Sequence, residues 1–347
     1  MRLRAPRWQH PPLQLGWIDS AHQRMEFGDL PLESGEVIRN FSLSYVSHGS
    51  RAAAGDNVVL VLTAIGATHH RLDFLIGPGR PLDPERYFIV CVDAIGNGLT
   101  TSPSNSAAQP DLAFPRFSIR DMVASQRRLL DSLGIDRLAA VVGASMGGMQ
   151  ALQWGVSHPA LMRGIIALVP MARTRPWSVA MNEVARRILM ADPGWPSGPY
   201  GSGFDSWAAM TRVITNRSPG ALAGMTAAAV PGLIAEVIAM MRRIGPDPLD
   251  WVYQSFAYDA HDVGATPGFA GDTAAALRTI RAPTLLLVPE LDLYNPVEDA
   301  IESAGLIPDA TLVRLAGHAG HAVAADSSPQ LAEIRAAIGG FLRRLAV

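Results

Sequence analysis

Residues 141–154 read VVGASMGGMQALQW: an apolar run, a turn of small residues with one serine at its apex, and then a stretch with helical spacing. Within it Gly143-Ala144-Ser145-Met146-Gly147 is G-x-S-x-G, placed where a strand ends and a helix begins. A serine lifted above a sheet on so tight a turn needs tiny residues two before and two after it. Gly143 and Gly147 meet that need, so Ser145 is expected to be a nucleophile. The amide of Met146, at a helix N-terminus in the same space, is expected to donate to an oxyanion.

The surroundings support that placement. Continuous apolar runs at 57–64, 86–94, 138–144, 164–170 and 282–290, with a more alternating one at 310–317, read as strands covered on both faces. Amphipathic segments such as SIRDMVASQRRLLDSLG (118–134) separate them, which predicts an α/β protein with a doubly wound, mostly parallel sheet. Residues 23–48 read as an antiparallel strand pair turning near Glu33-Ser34-Gly35 at a sheet edge. From 172 to 280 the rhythm changes to Ala- and Met-rich helical text without a convincing strand. A core of 1–171 and 281–347 with an inserted helical cap (lid) of 172–280 is therefore expected.

A serine needs a base, and the base needs a carboxylate to orient it. In doubly wound sheets these groups follow strand ends. Asp292 follows the run at 282–290, and Gly317-His318-Ala319-Gly320-His321 follows the run at 310–317. Asp292 is preferred to Glu290 as the acid, and His318 to His321 as the base, because His318 leaves the strand at once. His321 is held instead as a residue at a helix start or beside the substrate. The second oxyanion donor is expected from Thr63-Ala64-Ile65-Gly66, at the Ile65 amide.

Composition narrows the alternatives. Among 347 residues, 48% hydrophobic content is ample for a large core, and 17% charged residues with a formal net charge of -2 provide no basic face for nucleic acid. All 29 basic residues are arginine. The single cysteine, Cys91, excludes an intramolecular disulfide and a multi-cysteine metal site, and reads as a buried strand thiol. A metal site from His69, His70, His318 and His321 lacks HExxH or carboxylate-rich spacing, so no metal is expected. No stretch approaches a membrane span, and MRLRAPRWQHPPLQ at the start is followed by no apolar leader segment, so a cytoplasmic protein is expected.

The extended motif GASMGGMQALQW, with 76–98, 114–135 and 181–195, resembles the homoserine O-acetyltransferase family, whose members have the α/β-hydrolase fold. The resemblance covers roughly residues 25–200 and resumes from about 278 through LDLYNP and GHAGH. It implies Ser145 as nucleophile, Asp292 as acid, His318 as base, and Ile65 and Met146 as oxyanion donors. It further implies Arg186 as a cap arginine near substrate and a homodimer through the cap helices. The chain departs from the family at TTSPSNS (100–106) and at FAYDAHDVGATPGFAGD (256–272), which includes Tyr258. Both are expected beside the substrate, with Tyr258 touching it. These departures favour an esterase of small, short-chain acyl esters that needs no cofactor. The alternative is an O-acetyltransferase with acetyl-CoA as acyl donor and homoserine, serine or a related alcohol as acceptor.

Overall fold

The computed structural model describes residues 10–345, so the leader reading, which falls largely on residues 1–9, lies mostly outside the described residues. One eight-stranded sheet organises them, with strand order β1-β2-β4-β3-β5-β6-β7-β8. β1 (Gln23–Pro31) and β2 (Val37–His48) form the edge hairpin. β2 pairs antiparallel with β4 (Phe88–Val92). The remaining pairings, through β3 (Val58–Leu62), β5 (Ala140–Ala144), β6 (Ile165–Leu168), β7 (Thr284–Pro289) and β8 (Ala310–Leu315), are parallel.

The unbroken apolar strands follow from burial on both faces. In β3, Val58, Leu60 and Leu62 enter one core cluster while Val59 and Val61 enter the opposite one. Each such side chain contributes about 1.5–3 kcal/mol by leaving water. On the first face lie α1 (Ile119–Ser132) and α2 (Met146–Ser157), and on the second α9 (Leu331–Leu345), through Ile334, Ile338, Phe341 and Leu342. A capping box starts α1, with Ser118 accepting from the Asp121 amide while Asp121 accepts from that of Ser118.

Between β6 and β7 the chain is helical: α3 (Pro176–Met190), α4 (Ser202–Ala209), α5 (Val230–Ile244), α6 (Pro248–Asp259) and α7 (Thr273–Arg278). Leu189, Phe204, Trp207, Val237 and Met241 from the first three make a separate cluster. Tyr253 and Tyr258 of α6 and Leu277 of α7 instead pack into the main core, so the second half of this insertion is anchored on the sheet. α8 (Val297–Leu306) then leads to β8. Because the chain passes from β3 to β4 on one side and to β5 on the other, a crevice opens beyond the carboxyl ends of β3 and β5. No helix among the described residues is long and apolar enough to cross a membrane.

Candidate active site

Ser145 stands between β5 and α2 with φ +56° and ψ -123°. That conformation costs a non-glycine residue about 1–3 kcal/mol and persists only where its surroundings over-determine it. Its amide donates to Leu168 O and its carbonyl accepts from the Met149 amide, both at 2.9 Å. A Cβ on Gly143 would lie 2.0 Å from Gly147 O, and one on Gly147 would lie 2.4 Å from Leu62 O. The two glycines are thus required by close backbone approach.

The Oγ of Ser145 is 2.9 Å from Nε2 of His321, whose Nδ1 is 2.7 Å from Oδ2 of Asp292. The other carboxylate oxygen accepts from the amides of Tyr294 (2.8 Å) and Asn295 (2.9 Å). An acceptor-only carboxylate places the imidazole proton on Nδ1, so Nε2 presents its lone pair to the serine hydroxyl. All three residues are buried.

His318, expected as the base, is not at this site. It is exposed, with its ring against Gly220, where a Cβ would lie 2.5 Å from His318 Cγ. Its carbonyl accepts from Ser218 Oγ at 2.6 Å. The connection after β8 runs outward first: Gly317 (φ +116°) and Gly320 (φ +66°) turn it, and only the short helix Gly320–Ala324 carries His321 back over the sheet. The doubled glycine-histidine pair was the signal, since the second glycine makes the returning turn. Glu290, the competing acid, is exposed.

Ile65 and Ser145 share the wall of a cavity of about 360 Å³, together with Tyr294, His321, Arg71 and Arg212. The amide of Met146, as the first residue of α2, has no acceptor within its own helix. Tyr258 does not line this cavity. It is fully buried, stacks on Tyr294 with ring centres 5.4 Å apart, and donates to Asn295 Oδ1. Burial pushes its phenol well above the ordinary range. Tyr258 therefore braces the loop that bears Asp292, and its hydroxyl also interacts with that of Ser145.

Arg186 is likewise placed otherwise than expected. It is buried, pairs with Asp259 at 2.6 Å and Glu183 at 3.0 Å, donates to Ser255 Oγ at 3.1 Å, and is absent from the cavity wall. Burial nevertheless outweighs the pairing for Asp259 and raises its carboxyl. The cap arginine on the cavity wall is Arg212, in the π-helical turn Met210–Thr215, a distortion frequent at functional sites. Its Nε lies 3.2 Å from Met241 Sδ, and no carboxylate among the described residues pairs with it. Desolvation lowers its pKa. Nothing in MTRVITNRSPG set it apart in the sequence.

A second cleft, of about 610 Å³, adjoins the first across Gly66, Thr68, Met241 and Pro246 and contains no triad residue. Of residues 100–106 only Ser104 reaches it, with its amide and hydroxyl bonded to Asp250. None of 256–272 lines the serine cavity. Residues 100–106 hold α6 through Ser104 and Asp250, whereas 256–272 is the end of α6 and its continuation, from which Tyr258 interacts with Ser145. His69, His70, His318 and His321 form no common cluster among the described residues.

A strained serine on a strand-to-helix turn, in line with an imidazole and a carboxylate, defines the serine-nucleophile class of α/β proteins. The chain belongs to the α/β-hydrolase fold family, whose model matches residues 57–327. It is 40% identical over 189 residues to a homoserine O-acetyltransferase of Moorella thermoacetica, covering 49% of this chain and 50% of that protein. The chain spans about half the length of the curated relatives it matches. Among solved structures, acetyl esterase MekB superposes with a TM-score of 0.85 at 27% identity, covering 93% of this chain and 97% of that one. An acetylester hydrolase from Corynebacterium glutamicum gives 0.84 at 28%, covering 93% and 96%.

Proposed function

We propose that the protein is an O-acyltransferase that moves a short acyl group, through an ester on Ser145, to the hydroxyl of a small alcohol bearing a carboxylate, of the homoserine class. Arg212 carries this reading. A guanidinium without a carboxylate partner, on the wall that holds the nucleophile, is suited to a bidentate grip on an acceptor's carboxylate. The expectation of an esterase rested on two segments that do not line the serine cavity, and the name of the Moorella relative supports transfer.

The chemistry follows from the geometry. His321 Nε2 takes the proton as Ser145 Oγ attacks the acyl carbonyl, and Asp292 stabilises the imidazolium. The amides of Ile65 and Met146 donate to the oxyanion, each such donor being worth about 3–4 kcal/mol. His321 returns the proton to the departing group, a thiol if the donor is acyl-CoA. The acceptor hydroxyl then repeats the sequence in reverse, and water must be kept out for transfer to win.

The second reading, an ester hydrolase of short-chain acyl esters, is favoured by whole-chain similarity to the two acetyl esterases. Incubation with acetyl-CoA, with and without homoserine or serine, separates them. Thiol release that requires the amino alcohol supports transfer; acetate release from p-nitrophenyl acetate that ignores any added alcohol supports hydrolysis and overturns the lead. A homodimer is proposed through the insertion helices, where Trp177, Val184 and Met190 expose apolar surface.

A further inference from the structure

Five of the nine histidines, at positions 10, 22, 48, 69 and 70, gather away from the triad, where the segment after residue 10 crosses the loop that follows β3. We propose that His10, His22 and His69 bind a divalent first-row transition ion of the zinc class, which fastens residues 10–22 to that loop. The site goes beyond the acyl-transfer reading and does not depend on it.

One donor atom from each of the three residues lies within 4.8 Å of the others. His69 is the most prepared of them. Its Nδ1 is 3.0 Å from Asp93 Oδ2 and its amide donates to Asp93 Oδ1 at 2.9 Å. Asp93 is itself held by Ser44 Oγ (2.8 Å) and Asn97 Nδ2 (2.9 Å). This fixes the ring with its proton on Nδ1 and leaves Nε2 as the ligand atom, the carboxylate–imidazole arrangement that orients metal-binding histidines. That Nε2 is buried and has no hydrogen-bond partner, in a residue only 2% exposed. A buried ring nitrogen left without a partner calls for one.

The neighbours match. The rings of His22 and His69 meet edge to face at 4.5 Å, and His10 and His22 at 4.8 Å. His10 Nε2 lies 2.8 Å from His70 Nε2, while His70 Nδ1 faces Asp73 at 2.6 Å. Neutral imidazoles without carboxylate oxygens in the donor set select zinc, copper or nickel over magnesium or calcium. Bonds of 2.0–2.1 Å set tetrahedral donors about 3.3–3.4 Å apart, so the rings need draw together only modestly. His22 is exposed, which leaves a way in.

The site is coupled to the cavity by position. Pro11, Gly16 and Trp17 line the serine cavity opposite Ile65, Gly66 and Thr68, and His69 follows directly. Trp17 stacks on His70 at 4.3 Å. An ion held from both sides would fix two walls of the substrate cavity.

The test uses full-length protein stripped with a chelator and titrated with Co²⁺ and Zn²⁺. One equivalent should bind, with cobalt giving the visible absorption of a tetrahedral nitrogen site, and zinc should slow hydrogen exchange across residues 10–22. His10→Gln and His22→Gln, chosen because neither is fully buried, should each weaken zinc at least tenfold while leaving the metal-free melting temperature unchanged. No stoichiometric binding at micromolar zinc, or binding unaltered in both variants, would overturn the site. Binding without protection of residues 10–22 would overturn the fastening.

Discussion

His321 Nε2 lies 2.9 Å from Ser145 Oγ, the only imidazole in hydrogen-bond contact with that hydroxyl among the described residues. Its orientation comes from Asp292, whose second oxygen is occupied by two backbone amides. Replacing Ser145 with alanine should therefore lower kcat by about 10⁴–10⁶ with the fold intact, as removal of a triad member does. Acyl release by the purified variant, with its circular dichroism, checks this.

The elbow should tolerate no side chain at Gly147. A methyl group there would press on the Leu62 carbonyl, which belongs to the central strand and cannot yield. Gly147→Ala is expected to cost about 3 kcal/mol or more, at the upper end of overpacking effects. Urea unfolding of the variant beside the parent protein measures it, and a loss within 0.5 kcal/mol would contradict the geometry.

Arg212 and Arg186 should behave as different kinds of residue. Arg212→Met removes a charged hydrogen-bonding group from the cavity, and it should raise the acceptor KM about 10- to 100-fold with little loss of stability. Arg186→Met leaves the half-buried Asp259 with Asn182 as its remaining donor and should destabilise the fold by about 1–3 kcal/mol. Kinetics and melting curves on both variants should show these effects on opposite axes.

His261 gives the stability a dependence on acid. It is buried, its Nε2 has no partner, and desolvation lowers its pKa from 6.5 to about 3. The unfolded chain thus binds this proton more readily than the folded one. The contribution is complete above about pH 6.5 and is lost as pH falls toward 3, at up to about 1.4 kcal/mol per unit. His261→Gln should flatten the slope of unfolding free energy between pH 6 and 4, as urea titrations at several pH values would show.

What could be read from the chain alone followed its local physics. The strands announce themselves because β3, β5 and β7 are buried on both faces, and Ser145 because Gly143 and Gly147 must flank it. Asp292 was legible for the same reason, lying just beyond a strand end. The base was not, because the path after β8 depends on two glycines turning against Arg217, Ser218 and Gln330, contacts distant in sequence. Arg186 was expected at the substrate, but the packing of α3 against α6 brings it to Asp259, and the cavity arginine is Arg212 in the turn 210–215. Tyr258, expected at the substrate, lies off the cavity wall, with its ring supporting Tyr294 and its hydroxyl reaching Asn295 and Ser145, a placement set by the packing of α6.

The account stands most directly on which histidine deprotonates Ser145. Pre-steady-state acylation by p-nitrophenyl acetate, measured for His321→Ala and His318→Ala, should show a loss of about 10⁴-fold or more in the first and a rate within a few-fold of the parent in the second. The reverse pattern, with His321→Ala acylating normally and His318→Ala inert, would contradict it.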